Sequence, residues 1–347
     1  VAAATNAKTA GLKADGTADT TAALQALLNV KPAGATIYFP AGTYRIDGPI
    51  SITKPVTLVG EKGTVFNCQR TTQSFVFSIN KGGSTSSRMS GVTFTGITIE
   101  GPGIESGPTM IYANALQNFH VSYMKFHNVG TAAIRVNGCL NALVEDCVFD
   151  NVFRTGYGYG VCITDYSDGI TVRDSFFVTK GRHGVATGTS TSSLSVAGYT
   201  KRVTVENCYF ENFTDQAIDS HTETTGPYVA KGNVVVNARV GINLRNGISE
   251  VTNNAFIDCP TGILLRNSQV SASSIGPKVD KVVGNTIIGA SGGMQVDKTN
   301  SLIQGNVIQG TGIGIYLGPT AYSPASALIS GNVQEGCSDG FYTVKAS

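Results

Sequence analysis

Apolar and polar residues alternate over short stretches along most of the chain, and glycine, asparagine, serine or proline separates one stretch from the next. This pattern is typical of β-strands joined by tight turns. From about residue 118 a two-part phrase recurs at intervals of roughly 20 to 33 residues, the range expected of solenoid coils. Its first half reads ALVEDCVFDNV, RVTVENCYFEN or SLIQGNVIQG, and its second half reads TAAIRVNG, DQAIDSHT or RVGINLRN. The repeat predicts an all-β chain of stacked coils.

One small polar position is nearly constant in the repeated phrase. It is occupied in turn by Cys147, Ser175, Cys208, Asn233, Asn254, Asn285, Asn306 and Asn332. Stacked strands lie about 4.8 Å apart, so these side chains are expected to form a buried ladder that satisfies backbone groups at a turn. The seven cysteines are odd in number and lack the spacing of a metal site. We therefore predict structural roles for them, without a disulfide framework.

The N-terminal segment ADGTADTTAALQALL reads as a short amphipathic helix, with Asp and Thr before apolar Ala22, Leu24, Leu27 and Leu28. Such a helix would cover the open end of the first coil, as the terminal units of solenoids do. We predict one domain over residues 1–347, with a cap region over about 1–35 and coils over 36–347. No equivalent cap follows Val344, so a trimmed end, an oligomeric partner or a further domain is expected there.

Composition narrows the range of partners. Only 14% of the residues are charged, the net charge is +2, and no basic run stands out. A nucleic-acid or membrane-surface partner is therefore not expected. No apolar run approaches the roughly 18 residues that would span a bilayer. The chain starts at Val1 without a visible signal peptide, so export cannot be read from this terminus.

Aligning the second half of the phrase sorts its residues into inward and outward columns, because side chains alternate along a strand. The first outward column contains Arg135, Cys162, Ala186, Asp219, Asn243, Leu264, Gln295 and Tyr316. The second contains Asn137, Thr164, Gly188, His221, Arg245, Arg266, Asp297 and Gly318. We expect Asp219 and His221 to face solvent side by side, with Arg245 and Arg266 on the next coils. Arg182, Asp215 and Arg239 are expected to stack at the preceding turn.

Arginines beside a carboxylate and an imidazole are suited to cleaving an acidic glycan by β-elimination. The sugar carboxylate must be neutralised, a base must take the C5 proton, and an acid must protonate the leaving oxygen. Arg245, Arg266 and Asn243 are candidates for holding the carboxylate. His221 is the candidate base, with Asp219 orienting it.

The remaining candidates surround this centre. Tyr157 and Tyr159 are plausible acids, Asp215 is a further catalytic candidate, and Arg182, His183 and Arg239 are candidates for substrate binding. Arginine neighbours disfavour a bound cation. We therefore expect no metal at this site and no cofactor. Calcium held by loop carboxylates elsewhere is left open.

Two other functions use the same surface. A glycoside hydrolase needs two carboxylates about 5 to 5.5 Å or about 6.5 to 9.5 Å apart. Asp215, Asp165, Glu206 and Glu211 are candidate partners for Asp219. A non-catalytic glycan binder would instead stack sugars on exposed tyrosines, with the insertion at 188–200 as a wall beside the site. The tyrosines concerned are Tyr166, Tyr199, Tyr228, Tyr316 and Tyr322.

The segment ADGTADTTAALQALL…GATIYFPAGTYRI resembles the cap and first coil of the pectate-lyase-like superfamily of right-handed parallel β-helices. This resemblance implies a single-stranded right-handed β-helix acting on a polysaccharide, as in bacteriophage tailspike depolymerases and secreted lyases. It implies an extracellular, secreted or virion-associated protein, and a homotrimer in the tailspike case. The DSH sequence at 219–221 is similar to the Asp-x-His pair of alginate-type C5 epimerases and related lyases. In that pair Asp219 would help neutralise the carboxylate and His221 would be the base.

Overall fold

The chain is a right-handed parallel β-helix preceded by one short helix, which confirms the predicted fold class. The computed structural model describes residues 3–69, 74–103, 105, 107–189, 199–221, 224, 226–245, 247–266, 279–297, 300–310, 312–318 and 327–343. Most of the predicted wall at 188–200 and Tyr322 lie outside these residues. Among the described residues, no helix is long and apolar enough to cross a membrane.

Each coil contributes strands to three faces, and all strand pairs run parallel. The strands of the first face are Thr5–Asn6, Ala35–Phe39, Val56–Gly60, Thr93–Thr95, His120–Ser122, Leu143–Glu145, Asp168–Arg173, Lys201–Glu206, Tyr228–Lys231, Ser249–Thr252, Asp280–Val283, Ser301–Gln304 and Ala327–Ser330. Those of the second face are Asp15–Asp19, Gly42–Ile46, Thr64–Cys68, Thr98–Glu100, Lys125–Val129, Val148–Val152, Phe176–Val178, Ala255–Ile257, Thr286–Ile288, Val307–Gln309 and Val333–Glu335.

The third face is called the site face below. Its strands are Ile50–Ile52, Phe75–Ile79, Thr109–Asn114, Ala132–Asn137, Tyr159–Thr164, His183–Gly188, Thr261–Arg266, Gly292–Asp297, Ile313–Leu317 and Asp339–Thr343. The long strands Tyr209–Ser220 and Val234–Arg245 bend from the second face onto the site face. A small separate pair joins Met89–Ser90 and Leu116–Gln117.

Apolar side chains fill the interior of the helix as one continuous core. Phe126, Phe149, Phe177 and Phe210 lie on successive coils, with ring centroids 5.2, 4.3 and 4.7 Å apart. This stack lies inside the same coils that carry the candidate site. Tyr228 was predicted to be an exposed sugar-stacking residue, but it is 1% exposed and belongs to this core. That prediction was wrong because Tyr228 occupies an inward position of its strand.

The predicted N-terminal helix is present at Thr21–Val30, with Leu24, Leu27 and Leu28 buried. Asp19 Oδ1 accepts a hydrogen bond from the backbone N–H of Thr21 at 2.9 Å, which satisfies one free donor of the first turn. Ala22 is exposed, so the apolar face is narrower than predicted. The coils also begin earlier than residue 36, because Thr5–Asn6 and Asp15–Asp19 already pair with strands of the first full coil.

The polar ladder runs along one turn of the solenoid and is buried as predicted as far as Asn306, whereas Asn332 is half-buried. Each asparagine from Asn233 to Asn306 donates its side-chain N–H to the Oδ1 of the next, at 2.8 to 2.9 Å. The same Oδ1 atoms also accept backbone N–H groups, as Asn254 does from Asn233 at 2.9 Å. Cys147 and Cys208 join the ladder through their backbone N–H groups. Coil-to-coil register is thus fixed by hydrogen bonds as well as by the sheets.

Candidate active site

The register of the site face confirms the predicted columns. Arg135 pairs with Cys162, Cys162 with Ala186, and Ala186 with Asp219, which in turn pairs with Asn243. Arg245 pairs with Arg266 on the next coil. The candidate residues therefore lie on adjacent coils of one face, with spacings that are multiples of about 4.8 Å.

Exposure differs from the prediction at the centre of these columns. Asp219 is 0% exposed and Asn243 is 1% exposed, although both were expected to face solvent. The prediction was wrong because outward side chains on adjacent coils close over one another. Asn243 Nδ2 donates to Asp219 Oδ1 at 2.8 Å, so the amide predicted to hold substrate is engaged within the protein. Asn243 therefore positions Asp219.

Asp219 is the buried anion of the site. His221 Nε2 lies 3.0 Å from its Oδ2, and Arg245 Nη2 lies 3.5 Å from its Oδ1. Burial acts to raise the pKa of Asp219, but the hydrogen bond with His221 and the surrounding positive charge outweigh it and hold the pKa below its usual value. Asp219 is therefore ionised at neutral pH and fixes the imidazole that lies over it.

His183 lies beneath this pair and is completely buried. Its Nδ1 is 3.1 Å from the backbone oxygen of Gln216, so Nδ1 carries the proton and Nε2 keeps a lone pair. Burial lowers the pKa of His183 to about 4, against the opposing charge of Asp219, so the ring is neutral at neutral pH. His183 was predicted to bind substrate, but a fully buried ring cannot reach it. Its contacts instead support Tyr159 and His221, whose ring centroids lie 5.4 and 6.4 Å away.

A cavity of about 260 Å³, called the central pocket below, opens over this cluster. Its lining residues are Thr109, Thr131, Ala132, Arg135, Tyr157, Tyr159, Cys162, Thr164, Ala186, Thr187, Gly188, Thr189 and His221. Small side chains at Cys162, Ala186 and Gly188 leave the depression between Arg135 and His221. No Asp or Glu is among these described lining residues.

Arg135 is the functional candidate that sequence reasoning missed. Its Nε is buried without a hydrogen-bond partner, and among the described residues it has no ion pair. Its guanidinium lies 5.9 Å from the ring centre of Tyr112, a cation–π contact that leaves the positive charge uncompensated. The sequence did contain a signal, since Arg135 heads the same outward column as Asp219. An unpaired arginine in a pocket is suited to binding an anion.

Both candidate tyrosines lie in the central pocket with His221. Tyr159 OH accepts a hydrogen bond from Arg182 Nη1 at 3.0 Å. Burial raises the pKa of Tyr159, and Arg182 opposes that rise only in part, so the phenol stays protonated at neutral pH. Tyr157 is 48% exposed at the rim.

The other predicted residues lie outside the central pocket. Asp215 is held between Arg182, whose Nε is 3.4 Å away, and Arg239. Arg266 is exposed one coil below Arg245. The roles predicted for these residues stay predictions.

Three side chains at the centre could in principle hold a metal ion. His183, Asp219 and His221 each offer one ligand atom, and these atoms lie within 4.8 Å of one another. The guanidinium of Arg245, 3.5 Å from Asp219, already supplies a positive charge to the same carboxylate. We therefore interpret the group as an ionic cluster around Asp219, with His221 Nε2 and Arg245 Nη2 at 3.0 and 3.5 Å from the carboxylate.

Solved structures with the same architecture include an adhesin and a glycosidase. The surface adhesin PfbA of Streptococcus pneumoniae is 16% identical, with a TM-score of 0.77, over 99% of this chain and all of the adhesin structure. A Family 28 exopolygalacturonase of Yersinia enterocolitica is 13% identical, with a TM-score of 0.73, over 99% of this chain and 78% of the enzyme. At these identities the likeness shows the fold alone.

Comparisons of the sequence identify the family to which the fold belongs. A capsule K1-specific depolymerase of Klebsiella phage K64-1 is 34% identical over 92 residues, 26% of this chain. The chain spans 9% of the length of that relative. The profile of NosD, described as a periplasmic copper-binding protein, matches residues 197–347. The profile described as rhamnogalacturonase A/epimerase, pectate lyase-like, matches residues 4–243, which is more than half of the chain. The protein therefore belongs to the rhamnogalacturonase A/epimerase, pectate lyase-like family.

Proposed function

We propose that the protein is a polysaccharide depolymerase that cleaves an acidic glycan by β-elimination in the central pocket. The observation that carries this proposal is the arrangement of an unpaired guanidinium and an imidazole–carboxylate pair around one depression. Arg135 and Asp219 are three coil steps apart, roughly 14 Å along the face, and Arg135 and His221 both line the pocket between them.

Arg135 neutralises the carboxylate of the bound uronate. Its two-pronged guanidinium binds a carboxylate in bidentate fashion, and partial burial strengthens the pair. Neutralisation makes the C5 proton more acidic, because the negative charge that develops on removing this proton spreads onto the carboxylate.

His221 takes the C5 proton. Its Nε2 lies 3.0 Å from Asp219 Oδ2, and the negative carboxylate favours the tautomer with the proton on Nε2, which leaves the lone pair on Nδ1 as the base. Asp219 holds this tautomer and stabilises the imidazolium that forms. Asn243 and Arg245 in turn hold Asp219.

Tyr159 protonates the leaving oxygen. The electrons of the broken C5–H bond form the C4=C5 double bond, the bond from C4 to the glycosidic oxygen breaks, and that oxygen takes the phenolic proton. Arg182, which donates to the phenol oxygen, stabilises the phenolate that remains. The products are a new reducing end and an unsaturated uronate.

Ultraviolet absorbance tests this proposal directly, because the new double bond is conjugated with the carboxylate. We expect absorbance to rise when the protein is incubated with an acidic polysaccharide from a panel that also contains neutral ones. Reducing ends without that rise would indicate hydrolysis instead. Epimerisation would give neither signal but would exchange the C5 proton with solvent deuterium.

Hydrolysis is the weaker alternative on geometric grounds. The described lining of the central pocket contains no Asp or Glu, and Asp215 is already paired with two arginines. A binding module, as the adhesin neighbour suggests, would retain the glycan unchanged. The phage relative supports a setting outside the cell or on a virion, where a homotrimer is the assembly we propose.

Gly188 offers a test of the pocket itself. A Cβ at Gly188 would meet nothing within 4 Å, so Gly188→Leu can fold without strain while its side chain enters the cavity. We expect this variant to lose at least about tenfold in kcat/KM, because the sugar can no longer reach its reacting position. Gly188→Ala should retain most activity, and the thermal midpoint of both should match that of the native protein. Full activity of Gly188→Leu would place the substrate elsewhere.

A further inference from the structure

A second depression lies beside the central pocket, at the turn that leads into the site face. This cavity of about 300 Å³ is lined by Phe153, Arg154, Gly156, Tyr157, Arg182, Thr214, Asp215 and Arg239. It is called the arginine pocket below. Tyr157 lines both cavities, so they share a wall.

Positive charge exceeds negative charge in the arginine pocket. Three guanidinium groups face a single carboxylate, Asp215, which lies 3.4 Å from Arg182 and also pairs with Arg239. One carboxylate cannot neutralise three cations. An anion entering the pocket would therefore meet a net positive charge.

Arg154 is the arginine of this set that lacks a carboxylate partner among the described residues. Its Nη1 donates to Thr131 Oγ1 at 3.1 Å, and its guanidinium lies 5.2 Å from the ring centre of Tyr157. Nearby Glu105 bonds to Thr155 instead, at 3.1 and 3.2 Å. Packing on Tyr157 and bonding to Thr131 hold the guanidinium in place without compensating its charge.

We infer that the arginine pocket is a second anion subsite, which binds the carboxylate of the sugar next to the one in the central pocket. The inference rests on the proposed function, because it assumes a glycan chain lying across Tyr157. Since the two cavities share that wall, neighbouring sugars occupy them. The substrate class is then a glycan that carries carboxylates on adjacent sugars.

Calorimetry on a His221→Ala background tests this without turnover. The probes are size-defined oligogalacturonate and oligomannuronate, hyaluronan oligomers with a carboxylate on alternate sugars, and sulfated dextran. We expect Arg154→Ala and Arg239→Ala each to weaken uronate binding about tenfold, the effect of losing one charge-assisted contact. Hyaluronan oligomers should bind more weakly than the uronates and lose less upon substitution.

Arg202→Ala is the matched control. Arg202 and Arg239 have side chains 58% and 59% exposed, and each pairs with one aspartate, but Arg202 lies on the first face. It should leave binding within twofold of the background protein. Three results would overturn the inference. They are unchanged binding in Arg154→Ala and Arg239→Ala, tighter binding of sulfated dextran than of uronates, and no binding of any uronate. A protein that binds uronates through these arginines but yields no unsaturated product would refute elimination alone.

Discussion

Replacing His221 with alanine is expected to lower kcat by about 1000-fold while the Kd for the acidic glycan stays within about threefold, as is usual for loss of a general base. The imidazole is half-exposed at the pocket wall, and the buried carboxylate of Asp219 lies 3.0 Å from its Nε2. Removing it takes away the group that accepts the C5 proton. The carboxylate contact at Arg135 stays intact, so binding persists.

His120 provides a closely matched control for this experiment. Its side chain is 35% exposed, as that of His221 is, and its Nε2 lies 2.9 Å from a carboxylate oxygen of Glu145. It lies on the first face, away from the central pocket. His120→Ala should therefore keep full activity. A comparable loss of activity in His120→Ala and His221→Ala would mean that the histidine–carboxylate pairs matter for stability. Equal activity of His221→Ala and the native protein would remove His221 from the mechanism.

Substituting Arg135 with methionine should lower kcat/KM on an acidic glycan by about 100- to 1000-fold. Methionine keeps much of the packing of the arginine stem but removes the cation that neutralises the uronate carboxylate. Because neutralisation matters most when charge develops in the transition state, kcat should fall more than KM rises. Arg135→Lys should recover only part of the loss, since an ammonium cannot make the bidentate contact.

Arg266→Met tests which arginine holds the sugar carboxylate: Arg266, as predicted from the sequence, or Arg135, as proposed from the structure. Arg266 was predicted to hold the carboxylate, but it is exposed and absent from the described lining of the central pocket. Its loss should change kcat/KM by less than about threefold, as expected for an exposed surface charge. If Arg266→Met proves as damaging as Arg135→Met, the substrate lies further along the face than we propose.

The coil repeat made the fold and the register of the site face predictable from sequence. Alternation sorted residues into columns, and the observed pairing of Ala186, Asp219 and Asn243 matches those columns. The alternation of apolar and polar residues does not show how far the neighbouring side chains extend over an outward residue. Asp219 is buried because Asn243, Arg245 and His221 close over it, which depends on side-chain conformations across coils.

The same reasoning explains why Arg135 was missed. The sequence places Arg245 and Arg266 on the coils after Asp219, whereas the small residues Cys162 and Ala186 open the pocket toward the coils before it. The small residues in the outward column of Arg135 and Asp219 indicated on which side of Asp219 the pocket opens. Only the structure shows that Arg135 brings an unpaired charge into the central pocket.

Arg135, Cys162, Ala186 and Asp219 stack on successive coils. The distance between any two of these positions is therefore a whole number of strand spacings. Inserting or deleting one coil between Arg135 and Asp219 would change the distance between cation and base by one strand spacing, about 4.8 Å. Intermediate distances are not available by this route. Relatives that gained or lost a coil here would therefore switch in one evolutionary step to substrates with a differently placed acidic group, while coils added beyond Arg266 would leave the chemistry unaltered.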